Sequence, residues 1–134
     1  ELWKLAGKGA IACNQVLYHL QERAIEHRVI PWCESHGVAV VAYSPFGHND
    51  FPSARSPGGK ILQQIADAHQ VTPRQVALAF LISRPSVFAI PKAASTAHAA
   101  DNAAASALTL SAAELADIDR AFPRGREPSS LPMR

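Results

Sequence analysis

Three short apolar segments, separated by stretches with helical periodicity, constrain the fold of this chain more than any other feature. They cover residues 10–16, 38–42 and 87–90. Val38–Ala42 is apolar throughout, which is typical of a parallel strand buried on both faces. Strands that alternate with helices form parallel βαβ units, so the sequence predicts an α/β fold.

Helix signals lie between and after these strands. Two capping boxes each predict the start of a helix: Thr72-Pro73-Arg74-Gln75 and Ser111-Ala112-Ala113-Glu114. Further helices are predicted over residues 27–35 and 60–69. In the first of these, Trp32 and Cys33 lie on the predicted inward stripe.

The long segment 48–59 precedes the helix predicted over 60–69 and is rich in Pro, Gly and Ser. Loops of this length without secondary structure are often lids or binding loops. A disordered insertion fits the same composition, and the sequence leaves both interpretations open.

Composition excludes several classes of protein. The chain has 134 residues, enough for about one domain, with 48% apolar residues and a net charge of only +2. Its basic residues are scattered, so we expect no nucleic-acid partner. No apolar run approaches the ~20 residues that span a bilayer, so we expect no membrane partner. Cys13 and Cys33 lack zinc-site spacing. The sequence leaves a disulfide between them open and favours free thiols, which are typical of a cytoplasmic protein.

The two ends of the chain suggest where the folded unit lies. Residues 1–5 are typical of the last turns of a helix, with Gly7 as its stop, so we expect a piece of a longer protein. Pro, Arg and Ser dominate residues 123–134, which are predicted to form a loose tail.

The segment after the third strand is a candidate anion site. Ser95 or Thr96 can cap a helix that runs to about Ser106, and Lys92 and His98 flank its start. Free N–H groups and the dipole at a helix start favour an anion, most often phosphate. An ordinary βα loop with surface polar residues explains the same pattern, so both interpretations stand.

Polar residues also follow or end each predicted strand: Asn14-Gln15, Tyr43-Ser44 and Lys92. Ligands of parallel α/β folds bind at the carboxyl ends of strands, so these side chains are candidate binding groups. The chain contains no G-x-G-x-x-G, no G-x-x-x-x-G-K-[ST] and no G-x-S-x-G motif.

Several of these segments together resemble the aldo-keto reductases, in that family's order and approximate spacing. The matching segments are Asn14-Gln15-Val16-Leu17-Tyr18-His19, Ala42-Tyr43-Ser44-Pro45-Phe46-Gly47, the helix start Thr72–Leu78, and Ile90-Pro91-Lys92 with Asp101-Asn102. The resemblance covers roughly residues 10–122, and its alanine-rich last segment with His98 is similar to bacterial members.

The resemblance implies that residues 1–122 are the carboxyl-terminal part of a TIM (β/α)8 barrel, comprising its last three strands and their helices. It implies NADPH-dependent reduction of aldehydes or ketones, and hence a small carbonyl substrate. Two alternatives remain open: a non-catalytic nucleotide-binding relic or truncated fragment, and a phosphosugar-binding barrel fragment.

The resemblance also implies roles for single residues. Gln15 corresponds to the residue that bonds the nicotinamide carboxamide, and Tyr43 to the aromatic residue that stacks on the nicotinamide ring. Lys92 corresponds to the residue at the 2′-phosphate. Further implied cofactor contacts are Ser44, Phe46 and His48 at the pyrophosphate, and Asp101 and Asn102 at the adenine.

Two positions depart from the family's pattern. Ala93 stands where the family often has Ser directly after the Lys, and His98 stands where it often has Arg. Ser95 is a candidate to supply the missing hydroxyl. Because His98 carries at most a partial charge near neutral pH, NADPH is expected as the cofactor, with NADH less favoured.

The family's catalytic Asp, Tyr, Lys and His lie in its amino-terminal half, so no catalytic residue is assigned in this chain. Tyr18, His19 and His36 are interpreted as structural or surface groups. Without those catalytic residues, this piece is expected to be inactive when it is expressed alone. Three strands of a barrel leave two unpaired edges, so the piece is also expected to self-associate.

Overall fold

A three-stranded parallel sheet with helices packed on one face forms the centre of the computed structural model, which describes residues 2–7 and 9–131. The strands β1 (Cys13–Leu17), β2 (Ala39–Tyr43) and β3 (Val87–Ala89) lie in the order β1-β2-β3. Both pairs are parallel, as the βαβ pattern predicts.

The described residues form six α-helices and two short 3₁₀ turns in addition to this sheet. The turns cover Ala24–Glu26 and Ala105–Ala107. The helices are α1 (Leu2–Ala6), α2 (Val29–His36), α3 (Pro57–His69), α4 (Pro73–Leu81), α5 (Thr96–Ala104) and α6 (Ala112–Ala121). Glu1, part of the predicted first helix, lies outside the described residues.

The helix starts predicted from the caps at Thr72, Ser95 and Ser111 are confirmed. Thr72 and Ser111 each accept from the backbone N–H three residues on, and Gln75 and Glu114 complete the two capping boxes. Ser95 caps α5 by accepting from the backbone N–H of His98 at 3.2 Å. These caps satisfy backbone donors that a helix start otherwise leaves unpaired.

The core lies between the sheet and the helices, on one face of the sheet only. Val40 and Ala42 are fully buried there, beside Val87 and the α3 side chain Leu62. On the opposite face Phe88 is 57% exposed and Ile90 47% exposed.

The prediction that the strand over residues 38–42 is buried on both faces is therefore wrong for this chain. Ala39, Val41 and Tyr43 are only partly buried, because no described segment covers their side of the sheet. Val40, by contrast, points to the helices and keeps its packing partners.

Two element boundaries also differ from the sequence prediction. β1 begins at Cys13 and continues to Leu17, so Asn14 and Gln15 lie within the strand instead of at its carboxyl end. α3 begins at Pro57, so the predicted loop ends before Gly58 and Gly59.

Close packing explains the early start of α3. Ser56 caps the helix by accepting from the N–H of Gly59 at 3.0 Å. Both glycines are buried, and a Cβ would overlap the Phe122 ring at Gly58 and the Ser53 carbonyl oxygen at Gly59. The absence of a side chain at these two glycines therefore permits close packing against Phe122 and Ser53, and the two residues belong to a helix and not to a loop.

The α2 stripe is predicted correctly at Ile30 and Cys33, which are fully buried, and wrongly at Trp32. Trp32 is 40% exposed and stacks on the His36 ring, with ring centroids 4.2 Å apart. Stacking one turn along the helix shields the indole without burying it in the core. Cys13 and Cys33 are both free thiols.

Candidate cofactor-binding groove

A groove of about 560 Å³ lies beside the carboxyl end of the sheet. The turn after β2 and the first turns of α4 and α5 form its walls. Five residues that the sequence marked as candidates line it: Phe46, Lys92, His98, Asp101 and Asn102. Residues 46 and 92–102 are far apart in the chain, so the fold brings the two candidate segments together.

One hydrogen bond joins the start of α4 to the middle of α5. The Gln75 side-chain amide donates to the backbone carbonyl oxygen of Asp101 at 3.0 Å. Gln75 also completes the capping box of α4, so the same side chain sets the start of one helix and holds the other beside it. Arg74 and His98 lie in the first turns of α4 and α5 and line the groove, so the positive ends of both helix dipoles border it, which favours a negatively charged ligand.

The groove also contains residues that were not singled out as binding residues from the sequence: Phe51, Thr72, Pro73, Arg74 and Gln75. Arg74 lies over two phenyl rings, with its guanidinium carbon 5.5 Å from the Phe46 centroid and 5.2 Å from the Phe51 centroid. The two rings meet edge to face at 6.0 Å. The capping box was the available signal, because it placed Arg74 in the first turn of a helix.

Gln15 and Tyr43 lie on the exposed face of the sheet, outside the lining of this groove. The register pairs Gln15 with Val41 and Leu17 with Tyr43, so Gln15 and Tyr43 share one face, two positions apart along neighbouring strands. Gln15 is exposed and Tyr43 half-buried. This face thus presents an aromatic ring and an amide next to each other.

The remaining candidates lie at the rim of the groove or beyond it. Ser44 has a left-handed backbone with φ 50°, which turns the chain from Tyr43 toward Phe46. His48 is exposed, and its backbone N–H donates to the Asp50 carboxylate. Ala93 and Ser95 are exposed and are not among the lining residues that the structure describes.

A second cavity, of about 500 Å³, lies away from this groove and includes Tyr18, Arg23 and Glu26 in its lining. Its buried charges pair with one another: Arg23 Nε lies 2.6 Å from Glu26 Oε1, and the Tyr18 hydroxyl donates to the same oxygen at 2.7 Å. These contacts give the residues a structural role and agree with the interpretation of Tyr18.

Neither a metal-binding cluster nor a membrane-crossing helix is present in the part of the chain that the structure describes. No group of three or more His, Cys, Asp or Glu there is arranged to hold a metal ion. No helix of the described residues has both the length and the apolar character needed to cross a membrane.

Comparison with known proteins defines the class of this chain. The sequence profile of the Aldo/keto reductase family matches residues 1–122, and the chain belongs to that family. It is 43% identical over 133 residues to methylglyoxal reductase YeaE of Escherichia coli K12, covering 99% of this chain and 47% of the relative. It is 36% identical over 110 residues to the pyridoxine 4-dehydrogenase of the same organism, covering 81% of this chain and 36% of the relative.

Two solved structures of aldo-keto reductases show a similar sequence identity to this chain. An aldo-keto reductase from Klebsiella pneumoniae in complex with NADPH superposes with a TM-score of 0.83 at 41% identity, covering 93% of this chain and 44% of that one. A structure of an aldo/keto reductase from the same organism with NADP and acetate also gives 0.83, at 40% identity. The chain thus spans about half the length of the relatives it matches.

These similarities confirm the predicted family and fold class. The three parallel strands and their helices are the carboxyl-terminal part of a TIM barrel. In such a barrel one face of each strand points to the interior. The exposed face that carries Gln15, Tyr43 and Phe88 is therefore the interior face of the barrel.

Proposed function

We propose that this chain forms the cofactor-binding part of an NADPH-dependent reductase of aldehydes and ketones. The observation that carries the proposal is the groove in which Lys92, His98 and Arg74 meet beside two aromatic rings. A cleft with this charge and these flat apolar surfaces suits a phosphorylated adenosine. The relatives named above, a reductase and a dehydrogenase, support the oxidoreductase class.

Each candidate residue has a part in this proposal. Lys92 pairs with the 2′-phosphate, which favours NADPH over NADH because NADH lacks that charge. Asp101 and Asn102 hold the adenine, and Tyr43 stacks on the nicotinamide while Gln15 bonds its carboxamide. The turn residues Ser44, Phe46 and His48 lie along the pyrophosphate, with Ala93 and Ser95 at the phosphate loop.

The chemistry in this proposal is divided between the cofactor and the protein. The nicotinamide, when bound, supplies the hydride. The residues of this chain bind the cofactor and orient its ring, and none of them is assigned a proton-transfer role. We propose methylglyoxal as the first carbonyl to assay, because a relative 43% identical to this chain is named a methylglyoxal reductase. The free thiols Cys13 and Cys33 suit the proposed cytoplasmic location.

The assignment of Lys92 is tested by calorimetric titration of the protein with NADPH and NADH. Lys92→Ala should weaken NADPH by about 1–3 kcal/mol, the value of a charge-assisted hydrogen bond, and leave NADH nearly unchanged. Lys60→Ala, which removes an equivalent exposed charge on α3, is the control. Equal weakening of both cofactors by Lys92→Ala would contradict the assignment.

The stacking role of Tyr43 has a test of its own in the same titration. Tyr43→Ala should weaken NADPH, and Tyr43→Phe should retain most of the affinity because it keeps the ring. A Phe variant as weak as the Ala variant would mean that the hydroxyl, and not the ring, makes the contact.

A nucleotide-binding protein without catalysis is the second candidate. The groove supports it equally, because its lining residues can bind a nucleotide without any of them taking part in proton transfer. The chain alone is expected to be inactive under both candidates, so turnover of methylglyoxal with NADPH by the complete gene product that contains it separates them. NADPH binding by that complete product without turnover would support the binding protein and reject the reductase.

A further inference from the structure

We propose that Arg74 is a specificity-determining residue that supplies a second permanent positive charge for the 2′-phosphate of NADPH. The inference rests on the proposed function and deepens it. It concerns a helix residue that the resemblance does not assign to the cofactor, and it explains how a groove with His98 in place of Arg can still select a doubly charged phosphate. An imidazole loses its charge near neutral pH, whereas a guanidinium does not.

The position of Arg74 is the first step. It is the second residue of α4 and lines the same groove as Lys92 and His98. Its guanidinium lies over the rings of Phe46 and Phe51, at 5.5 and 5.2 Å from their centroids. Aromatic contacts of this kind use the faces of the guanidinium and leave N–H donors at its edge. The rings therefore fix the orientation of the group while its donors remain available to an anion.

The charge of Arg74 is not committed to a carboxylate. Among the described residues, no Asp or Glu oxygen lies within 4.0 Å of its guanidinium. In contrast, five other arginines each lie within that distance of a carboxylate: Arg23, Arg28, Arg84, Arg120 and Arg124. Arg74 instead makes cation–π contacts with the rings of Phe46 and Phe51. Its positive charge therefore remains available to a phosphate in the groove.

The charge balance of the groove shows why Lys92 alone is insufficient. Asp101 also lines the groove, so its carboxylate offsets the charge of Lys92. Arg74 is the lining residue whose permanent charge makes the groove net positive. The Gln75 bond to the Asp101 carbonyl holds the start of α4 against α5, which keeps Arg74 in the same groove as Lys92 and His98.

The test compares NADPH and NADH binding to the protein with Arg74→Gln and Arg74→Lys, and with Arg120→Gln as the control that removes an exposed charge on α6. Arg74→Gln should weaken NADPH at least about tenfold, equivalent to ~1.4 kcal/mol, and NADH less than about twofold. Arg74→Lys should lie between, because it keeps the charge and loses the planar donors. Thermal melting of each variant checks that the fold is retained.

Each outcome bears on one proposal. Equal loss of NADPH and NADH, or no loss of either, would overturn the role of Arg74. If Lys92→Ala still lowers NADPH affinity selectively in that case, the proposed function stands without it. A wild-type protein with no preference for NADPH would instead reject the proposed cofactor. The double variant Arg74→Gln, His98→Arg should regain NADPH affinity, and failure of this rescue would contradict the idea that the two positions supply the same charge.

Discussion

Replacing Glu26 by Gln should destabilise the fold by roughly 3 kcal/mol, because it leaves a buried guanidinium without its main counter-ion. The Glu26 side chain is 2% exposed and that of Arg23 5% exposed. Arg23 donates to Glu26 through Nε at 2.6 Å and through Nη2 at 2.8 Å. The Tyr18 hydroxyl donates to Glu26 at 2.7 Å, so three donors converge on one carboxylate.

The loss of stability for each substitution depends on which charged group or hydrogen-bond donor it leaves without a partner. Removing one member of a buried ion pair costs about 3–5 kcal/mol, and Arg23 keeps Asp119 at 2.6 Å, so the low end of that range applies. Asp119 itself is 57% exposed, and Asp119→Asn should cost only about 0–1 kcal/mol. Tyr18→Phe removes one bond to a charged group and should cost about 1.5–3 kcal/mol.

The Tyr18 hydroxyl should remain a hydrogen-bond donor in alkaline solution, where an exposed tyrosine loses its proton. Burial, and then the neighbouring Glu26 carboxylate, hold the pKa of Tyr18 well above its ordinary value, so the hydroxyl keeps its proton. Urea unfolding of the three variants at one pH measures the order of the losses. A loss for Glu26→Gln no larger than that for Asp119→Asn would refute this account, because the buried carboxylate would then contribute no more than an exposed one.

Three further predictions concern other parts of the fold. Gly59→Ala should lower stability by about 1–3 kcal/mol in urea unfolding, although Ala favours helix, because its Cβ overlaps the Ser53 carbonyl oxygen; a stabilised variant would contradict the packing. Hydrogen bonds from Ser111, first from its backbone N–H and then from its hydroxyl, lower the pKa of Glu114, so the contribution of this carboxylate to stability is lost as pH falls through that lowered value. Glu114→Gln should therefore flatten the acid side of a plot of melting temperature against pH, and an unchanged slope would contradict this. Phe88→Asp should reduce the self-association of the isolated chain in sedimentation, whereas Trp32→Ser, at an exposed helix position, should not.

Local signals in the sequence predicted the starts of three helices, α4, α5 and α6, correctly. The capping boxes at Thr72 and Ser111 and the cap at Ser95 involve residues within one turn, so their spacing is sufficient to identify them. The groove-lining candidates Lys92 and His98 follow from the same kind of signal, a polar segment at a helix start. Their approach to Phe46 was expected from the parallel βαβ pattern, which places strand ends at one edge of the sheet.

Features that depend on distant residues were predicted wrongly or missed. Gly58 and Gly59 suggested a loop, because the chain cannot reveal that Phe122 and Ser53 pack against them. Residues 38–42 suggested a strand buried on both faces, but Val41 is only partly buried, because an apolar residue of a barrel strand is buried only when the rest of the barrel covers it. Arg74 was missed because its significance lies in two rings that are contributed by a different loop.

The two ends of the proposed cofactor site depend on different parts of the fold, and this allows them to be tested separately. The groove that holds Lys92 lies between segments within this chain, joined by the Gln75 bond to α5. Tyr43 lies on the face that the described chain leaves open, which is the barrel interior. A ligand that carries only the adenosine end, 2′,5′-ADP, should therefore lose affinity with Lys92→Ala and keep it with Tyr43→Ala, whereas NADPH should lose affinity with both. Calorimetric titration measures all four cases. If Tyr43→Ala weakened 2′,5′-ADP as much as NADPH, the ring would act on the adenosine end or on the fold of the groove, and the division of the site into two surfaces would be wrong.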